Sequence, residues 1–479
     1  MKALHINLKL GPEGKYKSLT SSLRQAIRQG SIKPGERLPS SRDLAKQLQM
    51  HRHTVMTALT ELESEGWVQA KSKRFYQVTE TLPDTFLRIK PGKSNAANFV
   101  KPRKISTKQI SIRDHVELEN YRHSFPSGMP ELREFPITEF KSHIYDALKS
   151  KGVLSYGPAN GAPKLIEEIS AYLRRVRGIS DKSIVITNGS QEAIFLLSQL
   201  LITPGDCIAV ESLSYQPSIE AMRFAGAKIV PIAVDQEGLV IERLEASLKK
   251  NKIKLLYTTP LHQYPTTVTM SASRRLRLYQ LALKHGFIII EDDYDHEFHF
   301  AGQPVAPLAS FDPAGIVLYM SSFSKILFPS ARIGFLAVPE SIGTQLAKLK
   351  QLSSRQNENI IQIAIANWMR SGGFESHLRK MRKLYAGRKE GMVCELLELQ
   401  KKHPQISWRD PDGGMALWLC LGEDSSALAQ ALDKQSILLS PEKLYRLDGK
   451  SGTHVRLGFS GRAVEENSIA LREMFKFID

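Results

Sequence analysis

Apolar residues in the first part of the chain recur three and four positions apart, the spacing of a helix face. In SSLRQAIRQG, Leu23, Ala26 and Ile27 share one face, and Gly30 is a natural helix stop. SIKPGERLPS then supplies a turn, either Ser40 or Ser41 can cap the next helix, and Leu44, Ala45 and Leu48 form its apolar side. From His51 to Glu65 the pattern returns with Val55, Ala58, Leu59 and Leu62. Two short helices joined by a tight turn predict a helix-turn-helix, the geometry that lays the second helix in a DNA major groove.

From about Val116 the period changes. Helical stretches alternate with β-branched runs: KSIVITNGS, DCIAVES, KIVPIAV, IKLLYTTP, FIIIEDDY, IVLYMSSFS and RIGFLAV. Strands separated by helices predict an α/β fold with a mainly parallel sheet covered on both faces. In such sheets a ligand sits beyond the carboxyl ends of the strands. At 479 residues the chain exceeds one core, so at least two domains are expected.

Charge sharpens the division. Residues 1 to 113 hold 22 Lys and Arg against 8 Asp and Glu, a net +14 out of +17 for the whole chain. A local basic excess favours a polyanion, because neutralising phosphates releases counterions; its bland alternative is a solvated basic face. From Thr85 to Arg113 there are eight Lys and Arg and no acid, with Pro91, Gly92 and Pro102 as breakers, which predicts an extended linker. Cys207, Cys394 and Cys420 show no metal-ligand spacing and are expected to be reduced, buried core residues. MKALHINLKL lacks the apolar core of a signal peptide and no stretch is long enough to span a bilayer, so a cytoplasmic location without membrane partners is expected.

The strand ends carry the chemistry. Lys325 in SSFSKIL lies 33 residues after Asp292 of EDDYD. A lysine amine can condense with the aldehyde of pyridoxal 5'-phosphate (PLP), and a carboxylate at a strand end keeps the pyridine nitrogen protonated. Either Asp292 or Asp293 can serve, with Tyr294 near the phenolic oxygen; acidic strand ends also bind Mg²⁺, the competing reading. NGSQEAI turns through Gly189 into a helix, where backbone N–H groups and Ser190 can hold a phosphate. Tyr215 in ESLSYQP is a candidate plate for a flat heterocycle. YTTPLHQYPTT places two prolines at a strand end, candidates for a cis peptide bond. Ser322 and Ser324 flank Lys325, and Arg332 follows seven residues on as a phosphate partner.

GSIKPGERLPSSRDLAKQLQ followed by RHTVMTALTELESEGWV resembles the GntR-type winged helix over roughly 65 residues. That resemblance implies DNA contacts from Ser41, Arg42, Arg52 and Thr54. Gln49 and His51 stand where the family usually has Gly and Ser, which predicts a weaker helix cap. The family's Gly-rich wing tip is replaced by KSKRFYQV, where Lys71, Lys73 and Arg74 can meet phosphates. Val116 to Asp479 resembles the fold-type I PLP enzymes of the aminotransferase class I and II family. By that resemblance Lys325 is the Schiff-base lysine, Asp292 pairs with the ring nitrogen, Tyr294 with its oxygen, and Tyr215 stacks on the ring. Ser190, Gln191, Ser322, Ser324 and Arg332 surround the phosphate, and Tyr156 of YGPANG reaches the phosphate of the other subunit. Arg456 of HVRLGFS grips a carboxylate with two hydrogen bonds. The family's Asn-Pro-Thr-Gly reads Tyr264, Pro265, Thr266, Thr267 here, without its Asn and Gly.

The two halves together resemble the MocR subfamily of bacterial regulators. The resemblance implies a winged-helix domain at 1–80, a basic linker at 81–115 and an aminotransferase-like domain at 116–479, with a smaller α/β subdomain from roughly 350 to 479. It implies a homodimer, often with DNA-binding domains exchanged between subunits. The function it implies is a PLP-dependent transcription regulator that binds promoter DNA and senses PLP or an amine or amino-acid effector. A working aminotransferase with an appended DNA-binding domain is the alternative.

Overall fold

The computed structural model describes residues 14–72, 75–83, 107, 110, 112, 116–300, 302 and 305–478. The chain divides into two compact units, 1–106 and 107–479. In the first, helices α1 (Lys15–Arg28), α2 (Ser41–Gln47) and α3 (Arg52–Ser64) precede an antiparallel hairpin of β1 (Val68–Ser72) and β2 (Phe75–Val78). Leu23, Ile27, Leu44, Val55, Ala58, Leu59 and Leu62 meet in one core, with Ala26 and Leu48 partly buried at its edge. The backbone of Glu36 to Leu38 pairs with β2, giving the hairpin a third edge. Lys73 and Arg74, and residues 84–106 of the expected linker, lie outside the described residues.

Local chemistry sets the helix starts. Ser40, not Ser41, caps α2, its Oγ accepting from the Asp43 N–H at 3.2 Å. α3 keeps a side-chain cap although the usual serine is absent. His51 Nδ1 accepts from the His53 N–H at 3.3 Å, doing what a serine hydroxyl does elsewhere. Gln49 takes the left-handed backbone, φ 49°, that a glycine would adopt without strain.

The second unit is built on seven strands: β3 (Ser183–Thr187), β4 (Cys207–Glu211), β5 (Lys228–Ile232), β6 (Ile253–Thr258), β7 (Ile288–Asp292), β8 (Val317–Ser322) and β9 (Gly334–Val338). Their order is β3-β9-β8-β7-β6-β4-β5. They are the seven β-branched strings of the sequence. β9 pairs antiparallel with both β3 and β8, and the other pairs are parallel. Side chains alternate between faces: Val185, Val210, Leu255, Ile290 and Leu318 face helix α4 (Ser190–Leu201), while Ile184, Ile186, Ala209, Leu256 and Ile289 join the larger core on the other side. Burial on both faces explains why these strands read as continuous apolar runs.

A smaller antiparallel sheet joins Ser407–Trp408 to β10 (Ala416–Cys420) and β11 (His454–Gly458), alongside the 28-residue helix α5 (Gly373–Gln400). One expectation fails here. Cys394 is exposed on α5, because Met392 and Leu396 turn that helix's apolar side inward, and Cys207 and Cys420 are half-buried. Among the described residues no helix is long and apolar enough to cross a membrane.

Candidate functional site

Beyond the carboxyl ends of β6, β7 and β8 lies a cavity of about 280 Å³. Ser190, Gln191, Tyr215, Asp292, Tyr294, Ser322, Ser324, Lys325, Arg332 and Arg456 all line it. Tyr156 does not. It is 75 % exposed, with the Arg355 guanidinium 3.8 Å above its ring.

Ser190, Gln191, Tyr215, Asp292 and Ser322 sit at strand ends or helix starts, and Arg456 in the middle of β11. The β3–α4 turn is pinned by Glu192, which accepts from the Asn188 N–H at 2.6 Å and from Lys350 at 2.9 Å. Gly189 caps α4 at φ 78°, and a Cβ there would lie 2.8 Å from Arg332 Nη2. This leaves a cradle of helix N–H groups, Arg332 and the paired hydroxyls of Ser322 and Ser324, 2.7 Å apart. Gln191 Nε2 donates to Pro217 O at 3.1 Å, so an anion would meet its backbone N–H and not its side chain.

The two candidate carboxylates separate. Asp293 points away from the cavity, bonded to Arg177 at 2.6 Å and to the Tyr319 hydroxyl at 2.7 Å. Burial works against its ionisation, but Arg177 and His296 outweigh it and hold the carboxyl at about 2. Asp292 lines the cavity with the Tyr257 hydroxyl donating to Oδ2 at 2.7 Å. Burial pushes it up to about 7, with Tyr257 opposing. Its other oxygen, Oδ1, is buried and has no hydrogen-bond partner among the described residues. Among the described residues no group of three or more His, Cys, Asp and Glu is arranged to hold a metal ion.

Lys325 Nζ donates to Gly128 O at 2.8 Å. Burial holds the amine below its ordinary range, with Arg456 and Arg332 adding to this and Asp295 and Asp292 opposing it. A neutral amine is the nucleophilic form. Tyr294 donates to His262 O at 3.0 Å. Tyr264, in the place of the family's Asn, fills the middle of an aromatic cluster, edge-on to Tyr215, Tyr294 and Tyr445 at 5.5 to 5.9 Å. The Tyr264–Pro265 peptide is cis.

Several lining or supporting residues escaped the sequence reading. Tyr257 and Thr259 look like ordinary strand residues, and Ser127, Gly128 and Met129 carry no motif. Behind Tyr294 a buried pair, His262 Nδ1 and Asp295 Oδ1 at 2.7 Å, is covered by Gly413 and Gly414, where added Cβ atoms would fall 2.6 Å from His262 Nε2 and 3.3 Å from Asp295 Oδ2. The repeated acids of EDDYD were the available signal for Asp295.

In the N-terminal unit, Ser41, Arg42, Arg52 and Thr54 gather at the starts of α2 and α3. Arg42 and Arg52 are exposed, Ser41 and Thr54 half-buried. Arg52 Nε reaches Ser41 Oγ at 3.5 Å. Two cations at the positive ends of two helices suit phosphate and guanine edges.

Residues 125–473 match the family described as aminotransferase class I and II, and residues 15–76 match the bacterial regulatory proteins of the gntR family. The chain is 30% identical over 436 residues, 90% of itself and 84% of the relative, to the probable rhizopine catabolism regulatory protein MocR of Rhizobium meliloti. It belongs to the MocR-type regulators. The regulator TauR of Rhodobacter capsulatus is 28% identical, with 91% of each chain covered. Among solved structures, the kynurenine aminotransferase of Pyrococcus horikoshii shares 30% identity at a TM-score of 0.69, over 74% of this chain and 90% of that one. MocR-type chains thus join a GntR DNA-binding domain to an aminotransferase fold whose homologues are PLP-dependent. The cavity fits that cofactor on two counts. The unpartnered Asp292 Oδ1 suits a pyridinium N–H, and the side chain missing at Gly189 lets the Arg332 guanidinium lie against the start of α4, where a phosphate would meet both.

Proposed function

We propose that this MocR-type chain is a PLP-responsive transcription regulator acting on promoter DNA in the cytoplasm. In this reading residues 1–80 bind DNA, 81–115 link, and 116–479 hold the cofactor and sense the signal. The observation that carries it is the presence in one chain of a helix-turn-helix with exposed Arg42 and Arg52 and a cavity built around Lys325, Asp292 and Arg456.

When bound, PLP supplies an aldehyde that takes up an amine and a ring that withdraws electrons. The chain's own residues do the rest. Asp292 would hold a proton at the ring nitrogen, steadied by Tyr257, and Tyr294 would turn its hydroxyl from His262 O to the ring oxygen. The α4 start, Ser190, Ser322, Ser324 and Arg332 bind the phosphate, Tyr215 covers the ring face, and Arg456 orients a carboxylate. Tyr264 excludes water where the family's Asn would offer an amide. The signal is PLP itself or an amine or amino acid, and it acts by favouring one arrangement of the regulator over another.

The working unit in this reading is a homodimer, with DNA-binding domains free to be exchanged. Exposed Ile137, Tyr145, Leu148 and Leu154 lie in the segment leading to Tyr156, which is itself exposed and does not line its own cavity, and both features support a second subunit. The test is fluorescence anisotropy of the full chain on the DNA upstream of its own gene, with and without PLP. PLP should change affinity for that DNA and not for a scrambled duplex. Binding that ignores both sequence and PLP would overturn the reading and bring amino-acid turnover forward.

A further inference from the structure

Arg456 is 1 % exposed, and its guanidinium lies over the Tyr264 ring at 4.6 Å. A guanidinium offers a carboxylate two flat edges, Nε with Nη2 or Nη1 with Nη2. In each edge one nitrogen already has a protein acceptor: Nε donates to Ser127 Oγ and Nη1 to Pro265 O. These two acceptors are not equivalent. Pro265 O is a backbone carbonyl in a turn tied by Tyr264 N to Thr259 Oγ1 at 2.9 Å and Thr266 N to Gln263 Oε1 at 3.1 Å. The Ser127 hydroxyl leaves by a single χ1 rotation.

The segment that carries Ser127 is also built to shift. Residues 125–129 lie as a strap on two glycines of the small sheet's end. A Cβ on Gly458 would come within 2.2 Å of Pro126 O and 2.9 Å of Ser127 Cα, and one on Gly461 within 3.3 Å of Met129. The Phe125 ring fixes the strap's start in the core, and past it Pro126 to Met129 rest on bare glycine with no side chain at 458 or 461 to interlock with them. The strap's hydrogen bonds include Lys325 on Gly128 O at 2.8 Å, Ser460 on Met129 O at 2.7 Å and the Gly458 N–H on Phe125 O at 3.3 Å. It therefore touches both the cavity's amine and its buried guanidinium, and in the sequence it follows the basic segment between the two units.

We propose that Ser127 is the exchange partner of Arg456: a carboxylate ligand takes the Nε and Nη2 edge by displacing the Ser127 hydroxyl, and the 125–129 strap shifts with it. This rests on the reading of Arg456 as the carboxylate's partner. Ser127 is then a positioning residue that sets how strongly a carboxylate must bind to be sensed. The ligand class is a small carboxylate able to enter a cavity of about 280 Å³.

The probe is succinate, titrated calorimetrically into the PLP-loaded full chain, with hydrogen exchange followed across residues 123–131. Ser127→Ala removes the competing acceptor and should bind succinate about tenfold more tightly, as expected for one hydrogen bond to a charged group. Ser127→Thr keeps a hydroxyl and should restore wild-type affinity. Succinate should speed exchange in the strap of the wild-type chain. If Ser127→Ala binds like wild type while Arg456→Gln loses binding, the exchange proposal falls and the Arg456 reading survives. If Arg456→Gln binds succinate unchanged, both fall. Tighter binding by Ser127→Ala with no change of strap exchange in wild type would overturn the coupled shift.

Discussion

Asp292 has its ordinary value of 3.8 raised to about 7 by burial, so folding captures a proton there between pH 4 and 7. A carboxyl raised on folding stabilises the chain below about pH 4, and that stability drains away as pH climbs toward 7. Asp293, held at about 2 chiefly by Arg177 against the opposing effect of burial, has the opposite sign and matters only as pH falls below 4. Glu291 is also pushed up to about 7 by burial and acts in the same window as Asp292, so the two must be separated by substitution. Without PLP, Asp292→Asn should lose less stability than wild type between pH 5 and 7, by up to about 1.4 kcal/mol per pH unit. Denaturant melts at three pH values measure this, and identical slopes would mean that Asp292 is already ionised. Lys325 and Asp292 were legible in the sequence because an amine and a strand-end carboxylate have few other joint uses. Tyr257 was not, since its bond to Asp292 spans 35 residues and its own surroundings read as plain strand. The choice between Asp292 and Asp293 needed Arg177, which the fold brings from 116 residues away.

At the level of elements, the seven strands were readable because burial on both faces makes each a continuous apolar run, and the α2–α3 pair because its apolar face keeps helical period. The residue that caps α3 was not legible, since a histidine ring stands in for the usual hydroxyl. The strap at 125–129 was invisible because Lys325, Ser460 and Arg456, which bond it, come from 197 to 331 residues away. Two predictions belong to helix starts. Gly189→Ala puts a Cβ 2.8 Å from Arg332 Nη2 at a backbone φ of 78°. It should weaken PLP binding at least about tenfold, roughly 1.4 kcal/mol or more, in an absorbance titration; affinity within twofold of wild type would place the phosphate elsewhere. Arg52→Ala at the start of α3 should cost about 1–3 kcal/mol of operator affinity and leave the PLP spectrum unchanged. Equal operator affinity in anisotropy would remove Arg52 from the DNA face.

Across the whole molecule, charge and chemistry are segregated: residues 1 to 113 carry +14 of the net +17, while the cavity residues all lie beyond residue 126. Operator binding should therefore weaken steeply with salt, and PLP binding in its partly enclosed cavity much less. A regulator needs these separate sites to be coupled, and coupling through binding is reciprocal. If PLP changes operator affinity by some factor, the operator duplex must change PLP affinity by the same factor, and a fivefold effect corresponds to about 1 kcal/mol in either direction. The check is two titrations on one preparation at one salt concentration: operator duplex into the chain with and without PLP, and PLP into the chain with and without operator. Equal ratios identify one linked equilibrium. A PLP effect on DNA binding without its mirror image cannot come from linkage within a single species. It would instead point to a PLP-driven change in the number of subunits bound, which titrations at several protein concentrations would expose.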